Sequence, residues 1–291
     1  MKIVKSVSEM SGIAAEWHKQ GFRVGLVPTM GYLHDGHLSL VKAARRDNDK
    51  VVVSVFVNPT QFGPNEDYQR YPRDMEADST ACEAAGVDVV FAPEPSGMYP
   101  PYYVTYVEPV DLSARLCGVT RPGHFRGVCT VVLKLFNIVC PDNAYFGQKD
   151  AQQYLILDRM VRDLNLDSRL TLHRMPIIRE DDGLARSSRN VYLDPEERKQ
   201  ALCLSRAVAE AERLYAAGER DAAVIIAAMK EKIDAAPLAK TDYIEMVDTV
   251  ELLPVRKLDG TALVALAVYF GSTRLIDNTI LGEQVTYERK S

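Results

Sequence analysis

The 291-residue sequence predicts an open, mostly parallel α/β sheet followed by a smaller second domain. Three observations carry that reading. Apolar, β-branched runs without strict alternation, such as VVVSVFV at 51–57, suit strands buried on both faces. They alternate with helical patterns at the spacing of βαβ units, which calls for parallel pairing and right-handed crossovers. Near residue 177 the composition turns polar, and alanine-rich helices with two further strand-like runs follow.

In chain order, RVGLVP (23–28) is a strand stopped by Pro28. HLSLVKAARRDN (37–48) sets apolar residues at 38, 41 and 44 on one helical face, and 51–57 is the next strand. DMEADSTACEAAG reads as a helix closed by Gly86, and VDVVFAP as a strand. FRGVCTVVLKLFNIV is a strongly apolar helix, NAYFG a short strand, AQQYLILDRMVRDLN an amphipathic helix and SRLTLHRMPII a strand. Beyond 177, Asp182-Gly183 marks a turn and Asp194-Pro195 a helix start. Helices run to about 235, and TDYIEMVD and TALVALAVYFG are strands. The domains so drawn are 1–176 and a smaller α+β lid, 177–291.

Hydrophobic residues make up 47% and charged residues 26%, the profile of a soluble globular protein. A net charge of −5 argues against nucleic acid as the main partner, since such binders carry a basic excess. No apolar run reaches the ~20 residues of a membrane span, and MKIVKSVSEM lacks the apolar core of a signal peptide. Cysteines 82, 117, 129, 140 and 203 form no C-x-x-C pair and sit mostly in apolar segments. Free, buried thiols in a reducing cytoplasm are the expectation.

Three polar clusters fall at the carboxyl ends of predicted strands, where open α/β sheets bind ligands: 28–37, 58–63 and 147–153. In the first, His34 and His37 flank Gly36 at the start of a helix. The unpaired N–H groups of a helix N-terminus favour an anion such as phosphate. Imidazoles there can donate hydrogen bonds to charge developing on a phosphoryl group. A capped, glycine-rich turn with two exposed histidines fits the same local pattern. Zinc fits less well, because H-x-x-H supplies two ligands and no cysteine or third histidine lies nearby. Neither a G-x-G-x-x-G fingerprint nor a P-loop follows any strand.

The other clusters offer Asn58 and Gln61, then Lys149, Asp150 and Gln153. Primary amides suit a substrate bearing hydroxyls and a carboxylate, and a lysine beside phosphates stabilises transferring charge. At the domain boundary, GLARSSRN (183–190) holds serines and arginines able to wrap a triphosphate, Arg189 foremost. Taken singly, these segments also read as a solvated loop and a basic linker.

Taken together, VPTMGYLHDGH, VVVSVFVNPTQF, RYPRD, RPGHFRGV, AYFGQKDAQQ, GLARSSRN and RLIDN resemble the pantothenate synthetase (pantoate–β-alanine ligase) family of the nucleotidyltransferase superfamily. They run in family order from about residue 24 to 278. The resemblance implies a Rossmann-like N-terminal domain with helices on both faces of its sheet, and a smaller C-terminal domain. It implies ATP-dependent ligation of pantoate to β-alanine in pantothenate biosynthesis, releasing AMP and diphosphate through a pantoyl adenylate. A cytoplasmic homodimer joined through the N-terminal domain is implied as well.

By the same resemblance, His34 and His37 contact the ATP phosphates, His37 donates a proton, and Lys149 contacts phosphate. Met30 and Gly31 line the phosphate path, Gly147 and Asp150 meet the ribose, and Ile178 meets adenine through its backbone. Arg186, Ser187, Ser188 and Arg189 form a mobile ATP-binding loop. Gln61, Gln153 and Asn58 take pantoate or β-alanine. Mg²⁺ rides on the ATP oxygens, with Asp78 as an outer ligand. Neutral amides suit a carboxylate nucleophile, because a bidentate arginine would bind the ground state tightly and blunt its attack.

Two positions depart from the family pattern. Arg186 stands where methionine is frequent, and Gln148 where glutamate is common. Rival readings are a nucleotidyltransferase acting on a phosphate ester, a tRNA-linked synthetase, and a nucleotide sensor without catalysis. The first calls for arginines in place of Gln61 and Gln153, and the second for a basic nucleic-acid module. The third would be expected to lack the histidines, Lys149 or the serine loop, all of which are present.

Overall fold

The computed structural model describes residues 1–64 and 66–283. The chain divides into two compact units: Met1–Arg179 with Arg186–Ser188, and Glu180–Ala185 with the residues from Arg189 on. Three residues of the serine loop, Arg186–Ser188, belong to the first unit. Residues 284–291 of the expected second domain lie outside the described residues.

The first unit is built on a six-stranded sheet in the order β1-β4-β3-β2-β5-β6. Its strands are β1 (Lys2–Val4), β2 (Val24–Thr29), β3 (Lys50–Val55), β4 (Val89–Phe91), β5 (Asn143–Gly147) and β6 (Thr171–Met175). Every pairing is parallel, as the βαβ spacing requires. The helices are α1 (Val7–Lys19), α2 (Asp35–Asp47), α3 (Met75–Ala84), two single turns α4 (Pro95–Met98) and α5 (Cys117–Thr120), α6 (His124–Val139) and α7 (Ala151–Asp163).

Strand β3 explains the two-sided burial. Val51 and Val53 pack with Leu40, Val41 and Ala44 of α2 and Cys82 of α3. The two-residue period turns Val52 to the opposite face, where α1 and α6 pack on each other and on β2. Helix α6 buries twelve of its sixteen residues, which its nearly continuous apolar sequence anticipates. Gly25 serves a close approach, since a Cβ there would sit 2.6 Å from Asn48 Nδ2. Besides the single turns α4 and α5, two elements, β1 and α1, escape the sequence reading. A three-residue edge strand is too short to show a period, and α1 buries only Met10 and Ala14. Four of the five cysteines are buried as expected; Cys140 is exposed.

The second unit holds α8 (Pro195–Gln200), α9 (Cys203–Ala216), α10 (Ala222–Asp234) and an antiparallel sheet β7-β8-β9. Its strands are Ala239–Asp248, Ala262–Phe270 and Thr273–Leu281. Alternate residues of β8 (Ala262, Val264, Leu266, Val268, Phe270) pack with Leu204, Val208, Ile225 and Met229 of α9 and α10. Asp194 caps α8 in a reciprocal capping box with Glu197, and Gly183 turns with φ +98°. The third strand is additional to the two expected. Its Asp277, Asn278 and Thr279, all buried, mask the apolar alternation in TRLIDNTIL.

Sheet order reverses at β2 and β5, with β3 and β4 to one side and β6 to the other. The crevice beyond the carboxyl ends of such a pair is where open α/β sheets bind ligands. The three expected clusters follow β2, β3 and β5.

Candidate active site

The turn after β2 is held in an unusual backbone conformation. Gly31 has φ +83° and Tyr32 φ +53°, the left-handed region that costs a side-chain-bearing residue about 1 kcal/mol. Asp78, on α3 and 2% exposed, holds the turn in place. Its Oδ2 accepts the Tyr32 N–H at 2.8 Å and its Oδ1 the Leu33 N–H at 2.7 Å. A Cβ at Gly31 would meet Asp78 Oδ2 and Val55 Cγ1 at 2.9 Å each. Burial lifts the Asp78 pKa above the ordinary value, and the two N–H bonds oppose that rise. The carboxylate expected as an outer ligand of Mg²⁺ thus accepts one backbone N–H at each oxygen. Asp78 is a brace for the turn.

That brace delivers the chain into α2 with His34 as N-cap. His34 Nδ1 accepts the Gly36 N–H at 3.2 Å, and His37 Nδ1 accepts the His34 N–H at 3.4 Å. Gly36 makes room for this, since a Cβ would come within 2.9 Å of the His34 ring. With Nδ1 accepting in both rings, the proton of each neutral imidazole sits on Nε2. The rings stack at 4.1 Å between centroids. Burial, then the charges of Lys149 and Arg186, lower the His34 pKa to about 4. Burial, then His34 and Lys149, lower that of His37 to about 3. At neutral pH the pair presents two uncharged N–H donors at a helix N-terminus.

After β3, Asn58 is 1% exposed and uses its whole amide internally. Its Oδ1 accepts from the Thr60 N–H, the Thr60 hydroxyl and the Tyr99 hydroxyl, the last at 2.7 Å. Its Nδ2 donates to Gly127 O at 3.1 Å and to Gln61 Oε1 at 3.0 Å. Gln61 is thereby oriented with Nε2 3.2 Å from the Met30 sulfur, a weak acceptor that leaves donor capacity over. Of two residues expected at the substrate, Gln61 presents a usable amide and Asn58 holds it.

After β5, Lys149 and Asp150 pair at 3.2 Å on a 3₁₀ turn leading into α7. Adjacent glutamines then divide. Gln152 is buried and pinned, accepting the Cys117 N–H and donating to Leu112 O and Arg115 O. Gln153, half-buried in the first turn of α7, is left open. A Cβ at Gly147 would meet only Lys149 N, at 4.0 Å, so a ligand can approach this backbone closely. Ile178 O accepts the Arg186 N–H at 2.9 Å, and Arg186 Nη2 pairs with Asp35 Oδ2 at 2.8 Å. Arg186 thus ties the serine loop to the start of α2. Ser187 and Ser188 belong with it to the first unit, Ser188 buried, whereas Arg189 falls in the second.

The structure therefore gathers His34, His37, Lys149, Asp150 and Arg186 within mutual electrostatic reach, and Met30 with Asn58 and Gln61. Sequence reasoning missed the supporting roles of Asp78 and Tyr99, and the contact of His124 Nδ1 with the Gln61 backbone carbonyl at 2.9 Å. Asp78 and His124 lie in the RYPRD-to-α3 and RPGHFRGV stretches, but their partners are 45 and 63 positions away in sequence. Only the tertiary fold supplies those partners. Among the described residues, no cluster of three or more His, Cys, Asp or Glu is arranged to hold a metal ion.

Comparison with known proteins shows the family. The sequence profile described as pantoate-beta-alanine ligase matches residues 2–280. The pantothenate synthetase of Thermotoga petrophila is 58% identical over 97% of this chain and 100% of its own length. That of Fervidobacterium nodosum is 57% identical over 97% and 99%. The crystal structure of pantothenate synthetase from Thermus thermophilus superposes with a TM-score of 0.90 at 46% identity, covering 96% of this chain and 99% of that one. Pantoate-beta-alanine ligase from Francisella tularensis, complexed with beta-gamma ATP and beta-alanine, has a TM-score of 0.79 at 36% identity, covering 96% and 97%.

Proposed function

Because the chain belongs to the pantoate–β-alanine ligase family, we propose that it condenses pantoate with β-alanine at the expense of ATP, releasing AMP and diphosphate. The observation that carries the residue assignment is the pair of Nδ1-capped histidines, two neutral Nε2–H donors beside Lys149 at the start of α2.

In the first step a pantoate carboxylate oxygen attacks the α-phosphorus of ATP, and the bond to the β-phosphate oxygen breaks. Negative charge grows on the leaving diphosphate. Lys149 and the His34 and His37 Nε2–H groups offset it, donors that need no reorganisation because the backbone already holds the two rings. His37, with its proton on Nε2, donates that hydrogen bond toward the developing charge. Ser187, Ser188 and Arg186 take the distal phosphates, while Met30, Gly31, Gly147, Asp150 and the Ile178 backbone line the nucleotide. In the second step the β-alanine amine attacks the acyl carbon, loses a proton, and AMP departs.

Gln61 and Gln153 hold pantoate, and Asn58 acts through Gln61. Uncharged donors orient the carboxylate without quenching its nucleophilicity. Mg²⁺ enters with the nucleotide on its phosphate oxygens, as this hard cation prefers. No helix among the described residues is long and apolar enough to cross a membrane. A cytoplasmic homodimer is the assembly in keeping with this reading, and sedimentation measures the oligomeric state.

The test is AMP release from ATP with pantoate, β-alanine and Mg²⁺, omitting each in turn. Dependence on all four, with pantothenate formed in step with AMP, is expected. AMP release indifferent to pantoate and β-alanine would overturn the assignment.

A further inference from the structure

The RPGHFRGV stretch, 121–128, contributes nothing to the chemistry above, yet its side chains converge on the residue assigned to pantoate. We propose that His124, protonated at Nδ1, is a positioning residue for pantoate binding, clamping the Gln61 carbonyl so that the Gln61 amide meets the substrate. The inference rests on the reading of Gln61 given above and adds to it a second layer of control.

The tautomer follows from the partners. His124 Nε2 lies 2.9 Å from Arg121 Nη1, and a guanidinium can only donate, so Nε2 accepts. The ring proton therefore sits on Nδ1, 2.9 Å from Gln61 O, which can only accept. Arg121 is itself fixed: Nε and Nη2 reach the two oxygens of Glu66 at 2.8 Å each. Its Nη2 adds a longer contact to Gln61 O at 3.4 Å. Burial first, and Arg121 second, bring the His124 pKa down to about 3, in keeping with a neutral ring. This is the opposite tautomer to that of His34 and His37, whose Nδ1 atoms accept.

The clamp has no slack. A Cβ at Gly127 would fall 2.3 Å from Thr60 O and 2.7 Å from Gln61 Cα, so α6 lies directly on the 59–61 turn. Asn58 Nδ2 bonds Gly127 O, and the same amide nitrogen orients Gln61 Oε1. Gln61 is thus held at its backbone by His124 and at its side chain by Asn58. With Nε2 facing only the Met30 sulfur, the free donor of that amide is set for a ligand oxygen.

Three variants of the full chain test this. Asparagine places its Nδ2 where the histidine Nδ1 stands, whereas glutamine carries its amide one bond further, at the Nε2 position. For His124→Ala and His124→Gln, KM for pantoate should rise about tenfold, the scale of one buried hydrogen bond, with KM for ATP unchanged within about twofold. His124→Asn should recover most of the loss. Equal losses for pantoate and ATP, or no recovery with asparagine in a chain that melts as the wild type does, would overturn the proposal. Should the variants not fold, ¹⁵N NMR of the wild-type imidazole decides, since protonation at Nε2 contradicts the clamp. A wild-type chain without pantoate-dependent AMP release would instead overturn the proposed function.

Discussion

The two ends of the parallel sheet each carry a polar cluster built around histidine, and they are finished differently. At the amino end, Asn48 Nδ2 donates to Ala44 O and Tyr145 OH, and Asn143 Nδ2 donates to Asn48 Oδ1. His173 Nε2 meets Asn143 Oδ1 at 2.7 Å, Tyr145 donates to Asp47, and the Tyr145 and His173 rings stack at 4.7 Å. That network closes on itself. At the carboxyl end, His34 and His37 use Nδ1 on the backbone, which leaves the Nε2–H of each ring as a donor, and Gln153 stays open. A polar cluster with a partner for each group is a fastener. One with its partners on one side only is a site. Closing the amino end stabilises the fold because buried polar atoms left unpaired are costly.

The contrast between the ends is tested most sharply at His37. Asparagine keeps an acceptor for the His34 N–H and removes the Nε2–H. His37→Asn should therefore lower kcat for adenylate formation by about 100- to 1000-fold, the scale of one transition-state donor, at nearly unchanged Tm. A fall in Tm large enough to account for the activity would erase the distinction between the ends.

Asp78→Asn tests the brace. An asparagine offers one acceptor oxygen to two N–H groups and turns its NH₂ toward the other. Activity should fall by about 10- to 100-fold, in line with an ångström-scale misplacement of the histidines. Unchanged ATP turnover in single-turnover assays would remove Asp78 from the positioning apparatus.

Asn48→Ala probes the other end. It strands the Asn143 amide and removes a donor to Tyr145, and should cost about 1–3 kcal/mol in urea unfolding while activity per folded molecule is retained. Loss of kcat without loss of stability would contradict the fastener role.

The mildest consequence is a pH dependence of stability. His34, His37 and His124 are held neutral, their pKa values lowered from 6.5 to about 4, 3 and 3. From 6.5 down to these values the unfolded chain binds more protons than the folded one, so stability falls as pH falls through that window. Between about pH 7.5 and 5, Tm should drop less in His37→Asn than in the wild type. Parallel Tm curves would mean that His37 titrates alike in both states.

Much of the architecture is legible in the sequence because it depends on local pattern. The buried run at 51–57, the apolar faces of α2 and α6, the Asp194-Pro195 helix start and the turn at Gly183 each announce themselves within a short window. The edge strand β1 and the polar β9 do not. The first is too short to repeat, and the second buries three consecutive polar residues, Asp277, Asn278 and Thr279, which break the apolar pattern. The positions proposed to carry the chemistry, His34, His37, Gln61, Lys149, Gln153 and the serine loop, are legible as residue types at the ends of predicted strands and at the domain boundary.

Local pattern was thus enough for the α/β class, the parallel pairing and the residue types gathered at the carboxyl ends of the strands. What each of those residues is able to do came from the tertiary structure. It set the proton on Nε2 of His34 and His37 but on Nδ1 of His124, bonded Asn58 and Asp78 internally, and left amide capacity on Gln61 and Gln153. The reason is physical. A side chain's donor and acceptor capacity is written in its covalent structure, but the capacity left for a ligand is what remains after neighbours tens of residues away have taken their share.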